Sequence, residues 1–287
     1  MARVLIAGCG YVGGALAEMM AADGHDVWGM RRNPAALPPG VHHLAADLRD
    51  PASLHALPDG LDYVAYTATA DAFTDDAYRA AYVDGARNLI DALARQGQAP
   101  RRIAFTSSTS VYAQMDGEWV DEDSPVEPSG FGGRRMLEGE RVFLDGPFPA
   151  TVLRLGGIYG PGRASLVEKV RAGQAECPPA PSWTNRIHRD DAAGALRHVL
   201  TLPNAAPVYL CVDREPAELC DIYRWLARRL RAPEPRVAAD AADTRKRTRS
   251  NKRCSSARLA ASGYTFRHPT FRQGFEAIIA GGFSDTP

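Results

Sequence analysis

Three glycines near the amino terminus are spaced to grip a pyrophosphate. Gly8-Cys9-Gly10-Tyr11-Val12-Gly13 reads G-x-G-x-x-G, directly after the apolar run Arg3 to Ala7 and before the helix-like run Ala15 to Met20. In such a unit Gly8 permits the tight turn, Gly10 lets the backbone approach a phosphate, and Gly13 lets the helix pack on the strand. Tyr11 and Val12 open that helix, whose free N–H groups and partial positive charge suit a diphosphate. The next strand, Asp26 to Met30, runs into Arg31 and Arg32. Folds that select NAD place an acid there for the ribose 2′-hydroxyl, whereas guanidinium groups attract a 2′-phosphate. A charge-assisted hydrogen bond contributes about 1.5–3 kcal/mol, so one good contact gives a roughly ten- to hundredfold preference. The expected cofactor is NADP, with NAD as the alternative if the arginine pair is merely solvated.

The rest of the composition narrows the class. A chain of 287 residues with 45% hydrophobic content is long enough for one large α/β domain with a smaller attached lobe. Its 34 basic and 34 acidic residues cancel, which gives no global pull toward nucleic acid or an anionic membrane. Cys9, Cys177, Cys211, Cys220 and Cys254 are odd in number and scattered, without C-x-x-C spacing; free thiols in a reducing compartment are expected, and no metal motif is present. A strand beginning at residue 3 leaves no room for a signal peptide, and no apolar run reaches membrane-spanning length, so a cytoplasmic location is expected.

The glycine turn needs a sheet to hold it. Strand-like segments at Asp26 to Met30, Val41 to Leu44, Tyr63 to Tyr66, Arg102 to Thr106 and Ala150 to Arg154 alternate with helix-like ones, as a doubly wound, Rossmann-type parallel sheet requires. The longest helix is expected from Asp75 to Gln96, with Tyr82, Leu89, Ile90 and Leu93 as its core stripe, and its partner starts near Arg134. The polar stretch Ala113 to Gly133 reads as a rim loop. Farther on come a helix from Asp191 to Thr201, capped by Asp190 or Asp191, a strand from Pro207 to Val212, an amphipathic helix from Ala217 to Leu230, and helical segments at Ser255 to Ser262 and Phe271 to Ala280. The expected division is a dinucleotide-binding domain over 1–165, to which 187–213 returns, and a smaller C-terminal substrate-binding lobe from 166–186 and 214–287. The basic run Arg245 to Arg253 suits a phosphate clamp or a solvated loop; without interleaved aromatic residues it gives no case for nucleic acid.

The chain resembles the short-chain dehydrogenase/reductase superfamily, and within it the extended and atypical NAD(P)-dependent epimerases, dehydratases and reductases. The resemblance is carried by the glycine motif, by Thr106 to Tyr112, by Leu153 to Arg163 and by Arg186 to Ala192, in the family's order and over most of the chain. It implies that Asp47 and Leu48 embrace the adenine and that Thr67, Ala68 and Thr69 form the turn beneath ribose and pyrophosphate. It further implies that Leu155 to Ile158 lie near the nicotinamide, that Ser108 hydrogen-bonds a substrate oxygen, and that Tyr159, Asn185 and His188 face a small-molecule substrate. A homodimer through the helix at Asp75 to Gln96 and its partner also follows from the resemblance.

One family feature is missing. The Tyr-x-x-x-Lys motif, in which lysine lowers the tyrosine pKa for proton transfer, is here Phe131-Gly132-Gly133-Arg134-Arg135. A free tyrosine titrates near ~10 and must be tuned downward to act at neutral pH; a benzene ring cannot be tuned. Arg135 keeps the charge for the ribose hydroxyls, yet with a pKa above ~12 it is a poor proton donor. Tyr112 stands as the tentative replacement acid, with Tyr159 and His188 as others, and a reaction needing little acid assistance is the further alternative. A hydrolase triad from Ser107 to Ser110 with His188 lacks the G-x-S-x-G elbow. The reading is an NADP(H)-dependent oxidoreductase or epimerase-like enzyme with Phe131 beside its substrate; the rival is a non-catalytic NADPH-binding redox sensor.

Overall fold

Alternate residues of the first strand bury on opposite sides, which calls for a sheet covered on both faces. In β1 (Arg3–Ala7), Leu5 and Ala7 enter one core cluster and Val4 and Ile6 another. The structure, a computed structural model, describes residues 1–33, 37–238 and 251–281. After β1 come β2 (Asp26–Arg31), β3 (Val41–Ala45), β4 (Tyr63–Tyr66), β5 (Arg102–Ser108), the short β6 (Trp119–Val120) and β7 (Ala150–Leu155). They are followed by β8 (Gly157–Tyr159), β9 (Glu176–Cys177), β10 (Trp183–Thr184), β11 (Arg186–His188) and β12 (Val208–Cys211).

Seven of these form one parallel sheet in the order β3-β2-β1-β4-β5-β7-β12. Parallel neighbours need crossovers, and the helices supply them. α1 (Tyr11–Ala22) packs on one face with the later helix Arg189–Thr201, through Leu16, Met20, Leu196 and Val199. The other face takes the helical stretch from Asp75 to Arg95 and the helix Phe131–Leu144, through Leu89, Leu93, Met136 and Phe143. This is the expected doubly wound Rossmann-type sheet, and strand order reverses between β1 and β4.

The long helix is not continuous α-helix. It consists of α2 (Asp75–Arg79), a π-helical turn Ala80–Asp84 and α3 (Gly85–Arg95). The cause is visible: the buried Tyr66 hydroxyl donates to the Ala81 carbonyl, and Gly85 leaves room for that hydroxyl, so the ladder widens locally. α4 (Phe131–Leu144) then starts after Gly130, with no side-chain cap. The later helix, α6 (Arg189–Thr201), follows α5 (Ser165–Arg171) and is capped by neither aspartate. His188 is its N-cap, because its Nδ1 accepts the Asp190 N–H.

A third core cluster gathers Val167 and Val170 of α5, Ile222 and Leu226 of α7 (Leu219–Leu230), Tyr159, and Phe271 and Phe275 of the last helix, Phe271–Ala280. Leu259 and Phe266, by contrast, pack in the cluster between the sheet and α1 with α6. The free-thiol expectation is corrected for two cysteines: Cys177 in β9 and Cys220 in the first turn of α7 are joined as a disulfide across 43 residues of sequence. Sequence spacing carries no sign that β9 and α7 lie side by side. Cys9, Cys211 and Cys254 are free and buried. Among the described residues no helix is long and apolar enough to cross a membrane. Of the basic run, Arg245 to Ser250 lie outside the described residues.

Candidate dinucleotide and substrate site

The cleft opens at the carboxyl ends of β1 and β4, where the strand order reverses and α/β sheets bind their ligands. It holds a cavity of about 430 Å³. Gly8, Gly10, Tyr11 and Val12 line one end, Arg31, Arg32, Asp47 and Leu48 another, and Thr67, Ala68 and Thr69 the floor. Gly13 lies behind the wall, where a Cβ would come within 2.5 Å of the Thr67 Oγ1 and 2.7 Å of the Gly8 carbonyl. Gly8 sits at φ +94°, and a Cβ there would be 2.3 Å from the Ala68 nitrogen. Gly10 is different: nothing but the Gly8 oxygen at 3.7 Å stands near its absent side chain. That open space beside the first turn of α1 is where a diphosphate fits, so the residues suit a dinucleotide.

Charge at the far end of the cavity is organised by residues the sequence reading passed over. Arg32 donates to both oxygens of Asp71, at 2.7 and 2.6 Å. Arg49 bridges Asp71 and Asp47, and its hydrogen bonds hold the Asp47 carboxyl below the usual carboxylate range. Arg32 does the same for Asp71. Arg31, half-buried, makes no ion pair or hydrogen bond with its side chain among the described residues. Asp71 and Arg49 come from two loops, and only the fold brings them together.

At the other end, Tyr11 donates to the Pro161 carbonyl at 2.8 Å while Arg163 lies over its ring at 4.2 Å. This ties the glycine-rich turn to the segment after β8, and Leu155, Ile158 and Arg163 complete the cavity wall.

The residues expected to carry the chemistry lie beyond this wall. Ser108 ends β5, and its Oγ accepts the Ser110 N–H at 3.1 Å, which leaves its own proton free to donate. Tyr112 is committed to the interior: its hydroxyl donates to the Asp121 carbonyl and accepts from Arg154, both at 2.8 Å. Burial pushes its pKa up to about 12. Arg154 in turn makes a two-pronged ion pair with Glu140, and Glu140 also accepts from Ser107. Phe131 packs in an aromatic group, its ring centre 4.9 Å from the tilted ring of Phe73 and 5.4 Å, edge to face, from Tyr78. Arg135 is held by Asp75 and Glu138.

Asn185 clamps the short strand Arg253–Cys254, accepting from Cys254 N–H and donating to the Lys252 carbonyl. Asp191, in the first turn of α6, accepts from Tyr264, from the Arg267 and His268 N–H groups and from the His268 ring. His188, Asp191 and His268 offer ligand atoms within 4.8 Å of one another, but the carboxylate is spent on the chain itself. Burial and the neighbouring His268 lower the His188 pKa to about 4, so it is neutral at physiological pH.

Fold and site together define a nucleotide-binding oxidoreductase-type architecture, and comparison with known proteins gives the family. Residues 4–210 match the NAD dependent epimerase/dehydratase family, and the chain belongs to it. It is 32% identical to Protein YeeZ of Escherichia coli K12 over 246 residues, covering 82% of this chain and 86% of that one. It is 28% identical to a 3-diazoavenalumate denitrifying reductase of Streptomyces, covering 95% of this chain and 98% of the relative. A solved Methylobacillus flagellatus protein of the NAD-dependent epimerase/dehydratase type superposes with a TM-score of 0.81 at 34% identity, over 98% of both chains.

Proposed function

We propose that the protein is an NADP(H)-dependent oxidoreductase that acts on a small metabolite whose reduction needs little acid assistance. The observation that carries this reading is the pairing of a dinucleotide-shaped cavity, with Arg31 unpaired at its ribose end, with a proton-transfer position filled by Phe131. Bound NADPH would supply a hydride at the nicotinamide C4. Gly8, Gly10 and the first turn of α1 would hold its diphosphate, and Arg31 its 2′-phosphate. Ser108 would donate its free proton to a substrate oxygen and so orient the substrate. The lobe built from α5, α7 and the last helix would cover the nicotinamide end and exclude water.

The absent phenol points to an acceptor other than an ordinary carbonyl. Reduction of a carbonyl makes an alkoxide that must be protonated, whereas an iminium already carries its charge. Hydride replacement of a diazonium group expels neutral dinitrogen and likewise needs no donor; the Streptomyces relative bears the name of a reductase for a diazo compound. The occupied Tyr112 hydroxyl favours such chemistry over transfer of its role to that residue.

Incubation with NADPH deuterated at C4 and a metabolite extract tests the reading, with label expected in a product. Tight NADPH binding with no label in any extract would favour the rival, a redox sensor that holds the cofactor without turnover.

A further inference from the structure

Beyond the dinucleotide cavity, four buried polar atoms without partners among the described residues come together at the seam between the sheet and the smaller lobe. β8 and β11 pair in parallel, with Arg186 opposite Gly157 and His188 opposite Tyr159. Side chains two apart on a strand share a face, so Arg186, His188 and Tyr159 all rise on the same side of this ladder. Asp213, just past β12, joins them by donating its backbone N–H to the Arg186 carbonyl. The Nε of Arg186, the hydroxyl of Tyr159, the Nε2 of His188 and one carboxyl oxygen of Asp213 are all shut from solvent, and none has a hydrogen-bond partner among the described residues. Tyr159 is 4% exposed and Asp213 2%.

Such orphaned groups cost free energy unless a ligand or water meets them. Arg186 is the telling member. It makes no hydrogen bond or ion pair with its side chain among the described residues, and its terminal nitrogens, unlike Nε, are not sealed off. A guanidinium enclosed enough that burial lowers its pKa, yet still reachable, is a receptor for an anion. Its place is also informative. Gly157, opposite Arg186, precedes Ile158, which lines the dinucleotide cavity from the other side of the ladder, so Arg186 lies next to that cavity but faces the core of the smaller lobe with Tyr159.

We propose that Arg186, with the Tyr159 hydroxyl and Asp213 beside it, recognises a carboxylate on the substrate. This rests on the reading of the neighbouring cavity as the dinucleotide site. One guanidinium balances one negative charge, and its planar fork matches a carboxylate's two oxygens. A phosphate dianion would leave a charge uncompensated beside an acidic residue. Burial raises the Asp213 pKa to about 8, so at neutral pH its carboxyl is a donor and does not repel the ligand.

The test uses the full chain saturated with NADPH and benzoate as the probe, with benzamide and inorganic phosphate as controls, by titration calorimetry. Benzoate is expected to saturate, with both controls at least tenfold weaker. Arg186→Gln should weaken benzoate at least tenfold and leave NADPH affinity within twofold. Tyr159→Phe removes only an unpartnered hydroxyl, so it should fold like the wild type and weaken benzoate at least threefold; it decides the matter where Arg186→Gln does not fold. Nicotinamide fluorescence in the same samples separates the two readings. Wild type that binds no NADPH overturns the dinucleotide site. NADPH bound without benzoate saturation, benzamide or phosphate binding as well as benzoate, or benzoate affinity unchanged in the variants overturns the carboxylate subsite.

Discussion

Arg135 grips Asp75 with two parallel hydrogen bonds, Nε to one carboxylate oxygen at 2.8 Å and Nη2 to the other at 2.9 Å. The cation at the family's lysine position is therefore tied to the start of α2, and Glu138 holds it from the other side. Restoring the tyrosine alone at Phe131 should not create carbonyl reduction, since no mobile ammonium stands by to lower the phenol's pKa. Phe131→Tyr with Arg135→Lys should gain NADPH-dependent reduction of simple aldehydes, read by absorbance loss. Equal gain in the single variant would show that Arg135 already does the lysine's work.

Arg31 and Arg32 have different tasks in this geometry, because Asp71 occupies only Arg32. The wild type should bind NADPH at least ten times more tightly than NADH, and Arg31→Asp should abolish or reverse that preference. Fluorescence titration of the two nucleotides measures it. Equal wild-type affinities would remove the case for a 2′-phosphate at this strand end.

Gly10 separates folding from binding. Its Cβ would meet no serious obstacle in the free protein, so Gly10→Ala should melt within a few degrees of wild type while NADPH affinity falls at least tenfold. Gly8→Ala should lose stability as well, since its φ is positive and the Ala68 backbone blocks the added carbon.

The buried Arg154 and Glu140 pair, 6% and 2% exposed, predicts a stability effect remote from the cofactor. Glu140→Gln leaves Arg154 enclosed with its charge uncompensated and should cost about 3–5 kcal/mol in a urea unfolding experiment. A loss below about 1 kcal/mol would mean that Tyr112 and water suffice for the guanidinium.

Asp213 sets a pH dependence of known sign. Its pKa rises from 3.8 to about 8 on folding, chiefly through burial, so the folded chain retains a proton that the unfolded chain has lost. That contribution to stability is full below about 3.8, falls as pH rises, and is gone above about 8. Asp213→Asn should gain on the wild type steadily between pH 5 and pH 8. A constant difference across that range would contradict the buried neutral carboxyl.

The cofactor half of this architecture was legible because its signals are local. The glycine turn, the period of the strands and the two arginines after β2 occupy short continuous stretches, and Asp47, Leu48 and Thr67 to Thr69 line the same cavity. What escaped is non-local. The Arg49–Asp71 contact, the Cys177–Cys220 bond and the hydroxyl of Tyr66 wedged into the helix each join segments whose spacing in the chain is arbitrary. The cap of α6 was misread because histidine competes poorly on general preference with two adjacent aspartates, yet Asp191 is drawn to the C-terminal segment and His188 is left at the helix entrance.

That use of Asp191 bears on how the protein is made. Its carboxylate sits at the head of α6, fully enclosed, and every side-chain partner it has arrives from residues 264–268. A nascent chain that has emerged only through the last strand of the sheet would lack both the groups that satisfy this carboxylate and the segment packed against it. The sheet should therefore reach its full stability only when residues 264–268 arrive, and a premature stop just before Tyr264 should yield a less stable product even though every residue lining the cavity has already been synthesised.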